Sequence, residues 1–98
     1  MKRRFRVPSA QQIAVLEHIL AHPNSYGYEI MTAINIGPGT LYGLLKRLYD
    51  DGYLQKSLTL IDGRNRINYR LNQSGINYAE RAILEHEYEQ GIKGDFDA

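Results

Sequence analysis

Cysteine is absent from this 98-residue chain, so no disulfide framework or thiolate metal site can organise it, and thiol redox chemistry is excluded. Tryptophan is absent too, and with only two phenylalanines the aromatic surface falls to eight tyrosines. No apolar run approaches the ~18 residues that a membrane span requires. The basic start Met1-Lys2-Arg3-Arg4 does not open an export signal, because Arg6, Pro8, Gln11 and Gln12 interrupt the apolar run that would have to follow. The expectation is a soluble cytoplasmic protein with no membrane partner. A chain of this length buries a modest core, and a second subunit would help to stabilise it.

The net charge of +1 conceals a segregation. Residues 1–79 carry ten Lys/Arg against five acids, whereas residues 80–98 carry two against six. A basic body with an acidic end is what a domain that meets a polyanion on one side would show.

Ser9-Ala10-Gln11-Gln12 has the form of a capping box, and Ile13, Leu16 and Leu20 then recur on one face, which predicts a helix from Ala10 to Ala21. His22-Pro23 stops it. Asn24 or Ser25 can cap a second helix, with Tyr26, Ile30, Ala33 and Ile34 in register, ending near Asn35. Pro38 suits the first position of a third helix, in which Leu41, Leu44, Leu45 and Leu48 form the apolar stripe and Gly52 marks the stop. The period then changes to two: Leu54, Leu58 and Leu60, the turn Asp62-Gly63, then Ile67, Tyr69 and Leu71 read as a hairpin that buries one side. Asn72 caps a fourth helix from Gln73 to Gln90, apolar at Ile76, Ala79, Ile83 and Leu84. The fold class is mainly α with a small β-hairpin. Its parts are a basic arm (1–8), a winged helix-turn-helix (9–71), a C-terminal dimerisation helix (72–93) and a flexible acidic tail (94–98).

Helix, helix, tight turn, helix and basic-tipped hairpin is the order in which the third helix enters the DNA major groove and the wing touches backbone or minor groove. The DNA-facing side of the third helix would be Gly39, Thr40, Tyr42, Gly43, Lys46 and Arg47. Thr40 and Tyr42 offer hydroxyls to phosphates, the N–H groups near Gly39 favour anions, and Lys46 reaches base edges or phosphate. A glycine inside a helix costs ~1 kcal/mol against alanine, so Gly43 makes sense where something approaches closely. Arg64 and Arg66 on the wing, and Lys2, Arg3, Arg4 and Arg6 in the arm, are long cations suited to phosphate or minor-groove contact.

Several segments resemble the PadR-like transcriptional regulators. They are Tyr26-Gly27-Tyr28-Glu29-Ile30, Pro38-Gly39-Thr40-Leu41-Tyr42, Asp51-Gly52-Tyr53-Leu54, Tyr69-Arg70-Leu71 and Ser74-Gly75. The resemblance implies a winged-helix dimer joined largely through the C-terminal helix, usually repressing a nearby promoter, with Ser25 and Tyr26 touching the DNA backbone; the residues themselves leave a place in the core equally open to Tyr26. The link between helices 2 and 3 is shorter than in many members, and Gly43 stands where proline is common. The chain ends soon after helix 4, as in the compact branch, which weakens any case for a small-molecule inducer.

Other chemistry is poorly supported. His18 and His22 have a metal-compatible spacing but no third ligand nearby, Asp50-Asp51 and Glu85, Glu87 and Glu89 read as solvated, and Gly37-Pro38-Gly39 lacks the Gly-Lys-Ser/Thr of a phosphate loop. No cofactor, metal or enzymatic activity is expected. The expected partners are double-stranded DNA, in the nucleoid, and a second copy of the chain meeting through Ile76, Ala79, Ile83 and Leu84. The alternative is a winged helix that binds another protein instead of DNA.

Overall fold

The computed structural model of the chain describes residues 8–91; the arm cations Lys2, Arg3, Arg4 and Arg6 and the tail 94–98 lie outside them. Seven elements follow one another: α1 (Ala10–Ala21), β1 (Ser25–Tyr26), α2 (Gly27–Ile34), α3 (Pro38–Asp50), β2 (Leu54–Ile61), β3 (Arg64–Leu71) and α4 (Gln73–Gln90).

Local chemistry sets each boundary. The Ser9 side chain accepts from the Gln12 backbone N–H and caps α1. At α2 the cap is Tyr26, one or two residues later than the sequence suggests, and the Glu29 carboxylate accepts from the Tyr26 N–H at 2.9 Å. Asn35 closes α2 in the left-handed region at φ 55°, and Pro38 opens α3, where its missing N–H costs nothing. Asp62 (φ 50°) and Gly63 (φ 77°) make the two-residue hairpin turn, a left-handed pair whose twist matches that of the strands. Asn72 accepts from the Gly75 N–H at 2.8 Å and donates to the Gly52 carbonyl at 2.8 Å, so one side chain both starts α4 and ties it to the end of α3.

The sheet has three antiparallel strands in the order β1-β3-β2, with Leu54 opposite Leu71, Leu58 opposite Ile67 and Ile61 opposite Arg64. The short β1 pairs Ser25 with Tyr69 and Tyr26 with Asn68. One core joins the elements: Val15, Leu16 and Ile19 of α1, Ile30 of α2, Leu41, Leu45 and Leu48 of α3, and Leu54, Tyr69 and Leu71 at the sheet's base. Each fully buried aliphatic side chain contributes about 1.5–3 kcal/mol relative to exposure.

Two readings of the sequence need correction. The hairpin's alternation is buried only at its base, where the helices reach it; Leu58, Leu60 and Ile67 project beyond that layer and are exposed. Ala79, expected at a subunit interface, is fully buried in its own domain together with Ala82, where small side chains let α4 close against α1. Ile76 and Ile83 flank them and are half-buried against the same core, while Leu84 is 66% exposed.

Candidate nucleic-acid interface

The leucine stripe orients α3. With Leu41, Leu45 and Leu48 turned into the core, Gly39, Thr40, Tyr42, Gly43, Lys46 and Arg47 are left exposed. Beyond the helix's own backbone, a Cβ built on Gly39 or Gly43 would meet no atom of the described residues within 4 Å. The space above both glycines is therefore open to an approaching molecule, and nothing inside the fold requires them. Gly27 differs: a methyl there would run into the Tyr42 ring, so this glycine seats the tyrosine against the start of α2. Tyr42 thus spans the two helices of the helix-turn-helix. Tyr69 lies close by, and burial, aided by Tyr42, raises its pKa.

Lys46 donates to Asp50 at 2.8 Å, one turn along the exposed surface, and this hydrogen bond raises its pKa, so the lysine stays cationic. Beside it, the Lys56 ammonium sits 4.1 Å from the centre of the Tyr49 ring, a cation–π contact that bridges α3 and β2. Tyr42, Lys46, Tyr49, Asp50, Lys56 and Tyr69 line a cleft of about 350 Å³ between helix and hairpin. An anionic oxygen entering the cleft would meet the Lys56 ammonium and, on displacing Asp50, that of Lys46.

Tyr49 and Lys56 lie outside the set to which the sequence pattern points. A signal existed: Tyr49 is two helical turns beyond Tyr42, and Lys56 falls on the even-numbered face of β2 that packs toward α3. On that face Leu54, Leu58 and Leu60 set an apolar pattern that masks the lysine.

On the wing, Arg64 and Arg66 are exposed on the face opposite Leu58 and Leu60, together with Arg70. Arg66 stands 6.0 Å from the ring of half-buried Tyr26. Ser25, by contrast, is buried, and its hydroxyl donates to the His22 carbonyl within its own turn. That bond occupies the only side-chain hydrogen Ser25 could give to a phosphate. Arg47 lies on the flank of α3, near enough to Tyr78 of α4 to oppose the rise in that phenol's pKa caused by burial. The structure therefore brings Tyr42, Gly43 and Lys46 together facing outward, sets the wing arginines apart from them, and leaves Ser25 inside.

The rings of His18 and His22 lie 4.7 Å apart, and burial, followed by the charge of His22, lowers the His18 pKa. The charge of Glu29 opposes them more weakly. Among the described residues no three His, Cys, Asp or Glu side chains gather as a metal site would need, and no helix is long and apolar enough to cross a membrane.

Comparison with known proteins places this geometry. The smu.1704 protein of Streptococcus mutans is 34% identical, with a TM-score of 0.73 over 98% of this chain and 95% of that one. A PadR family transcription regulator from Clostridium difficile superposes with a TM-score of 0.75 at 23% identity, over 92% of this chain and the whole of that one. MarR from E. coli shares the fold at a TM-score of 0.68 and 23% identity over 76% of this chain, which spans 55% of that protein's length. No curated protein matches the chain in sequence. Family and fold alike are those of transcriptional regulators. The model of the transcriptional regulator PadR-like family matches residues 15–81, taking in α3, the hairpin and the first half of α4, and the chain belongs to that family.

Proposed function

We propose that the chain is a homodimeric repressor that occupies a pseudo-palindromic operator, with α3 in the major groove and the hairpin over the neighbouring minor groove. The observation that carries the reading is the cleft between α3 and β2. In a duplex the sugar-phosphate strand separates the two grooves, and here Lys46, Lys56 and the tyrosine hydroxyls line the space between the elements that would enter them. Gly39 and Gly43 then allow the helix backbone to approach the base edges.

Pairing of subunits rests on α4. Asn77, Arg81, Leu84 and Tyr88 follow at intervals of four, three and four, the spacing of a two-helix seam. They line a shallow groove on the side away from α1, where Leu84 and Tyr88 expose apolar surface. A two-fold axis there buries this groove against its own copy and fixes the spacing of the two recognition helices. The dimer contact shifts accordingly from Ala79 toward Leu84, with Ile76 and Ile83 supporting it from the core side.

Footprinting on duplexes selected from a random-sequence pool tests the reading. Two protected half-sites of inverted sequence, centred about 34–36 Å apart on one side of the duplex, are expected. Selection that returns no shared sequence, or a single half-site, would overturn it.

A further inference from the structure

The outer half of the hairpin leaves three apolar side chains in solvent on one face: Leu58 and Leu60, each 68% exposed, and Ile67, 45% exposed. Leu58 and Ile67 are direct cross-strand partners, and Leu60 lies two residues nearer the turn on the same side. Nothing among the described residues covers them. Followed inward, this face runs through Lys56 into the cleft beside α3. Its reverse carries Arg64 and Arg66.

A thin blade that is apolar on one side and cationic on the other fits one occupant well. The guanidinium groups draw it to a polyanion. The apolar surface that a duplex offers to so narrow an element is the deoxyribose walls and base edges of the minor groove. That groove is only about 6 Å wide, while the two backbones of the hairpin are themselves about 5 Å apart before side chains are added. Entry therefore widens the groove, and apolar side chains that wedge it open bend the duplex toward the major groove.

The geometry points to the wing as an apolar wedge: Leu58, Leu60 and Ile67 seat against the minor-groove sugars and bend the DNA around α3. This rests on the DNA-binding reading above. It adds a source of sequence preference that requires no base hydrogen bond, because pyrimidine–purine steps yield to such bending more readily than A-tracts.

The test uses the full chain and a duplex that it selects from a random-sequence pool, labelled at both ends for energy transfer. Leu58→Thr/Leu60→Thr/Ile67→Thr removes the apolar edge while supplying β-branched side chains suited to a strand, and a thermal melt checks that the domain remains folded. Affinity lower by about tenfold or more, an end-to-end distance near that of free DNA, and an unchanged dependence on salt are expected. In Arg64→Ala/Arg66→Ala the salt dependence should weaken instead. Wild-type binding and bending retained in the threonine variant would overturn the wedge and leave DNA binding standing. Retained DNA binding together with lost self-association in sedimentation would also overturn it, and would assign the face to a second copy. A wild-type chain that binds no duplex overturns both readings.

Discussion

Replacing Gly43 with alanine should move stability and DNA affinity in opposite directions. Position 43 is in the interior of α3, on the side opposite Leu41, Leu45 and Leu48, and beyond the helix's own backbone the new methyl would meet no atom of the described residues within 4 Å. The substitution therefore gains the intrinsic helix preference of alanine without steric cost, about 1 kcal/mol, which raises the melting temperature by about 4–8 °C for a domain of this size. The same methyl projects into the space that we assign to DNA. Holding the helix off by even part of a methyl's thickness lengthens the charge-assisted contacts around it. Losing one of these costs about 1.5–3 kcal/mol, or roughly a ten- to hundredfold loss of affinity. Calorimetry of the free chain and fluorescence anisotropy with a selected duplex measure the two effects. A variant that is more stable and binds as well as wild type would refute the assignment of this face to close approach.

Gly27→Ala and Gly75→Ala form a contrasting pair: at Gly27 the obstacle is the movable end of Tyr42, so DNA affinity should drop with little loss of stability. At Gly75 it is the Tyr53 backbone carbonyl, which cannot swing aside, and thermal denaturation should show a loss of about 1–3 kcal/mol. Leu84→Glu places a charge in the proposed seam at a position already exposed in the single chain; sedimentation should find folded monomers, and an unchanged dimer would locate the contact elsewhere. The His18 pKa is lowered by folding from 6.5, so protonation favours the unfolded chain. The stability this contributes is present above about pH 6.5 and is lost as pH falls below it. His18→Gln should make melting temperature less dependent on pH across that window, and identical slopes in the two proteins would remove His18 as the cause.

Most of the architecture was legible in the sequence because each element announces its own ends. Ser9, Pro38, Asn72 and the Asp62-Gly63 turn act within a few residues of themselves, and the structure places all four where local chemistry puts them. Strand β1 was not legible: two residues show no alternation, and their partners Tyr69 and Asn68 are more than forty positions away in sequence. Periodicity also says which residues share a face without saying how far a covering layer extends. Leu58 and Leu60 continue the pattern of Leu54 past the point where helices end, and Ala79 shares an apolar face whose partner is α1 within the chain. On α3, a helical projection alone suffices to turn Tyr42 and Lys46 outward, as the structure has them. Lys56 required the third dimension, because its place beside Tyr49 depends on how β2 packs against α3.

Salt dependence of DNA binding tests the central claim most directly. If Lys46 and Lys56 each neutralise a phosphate of the strand that runs through the cleft, the plot of log affinity against log salt for Lys46→Gln/Lys56→Gln should be shallower than wild type by about 1.8, at ~0.9 for each phosphate. A weakened variant with this shallower slope is the predicted result; an undiminished slope would mean that the cleft between α3 and the wing is not where the chain holds DNA.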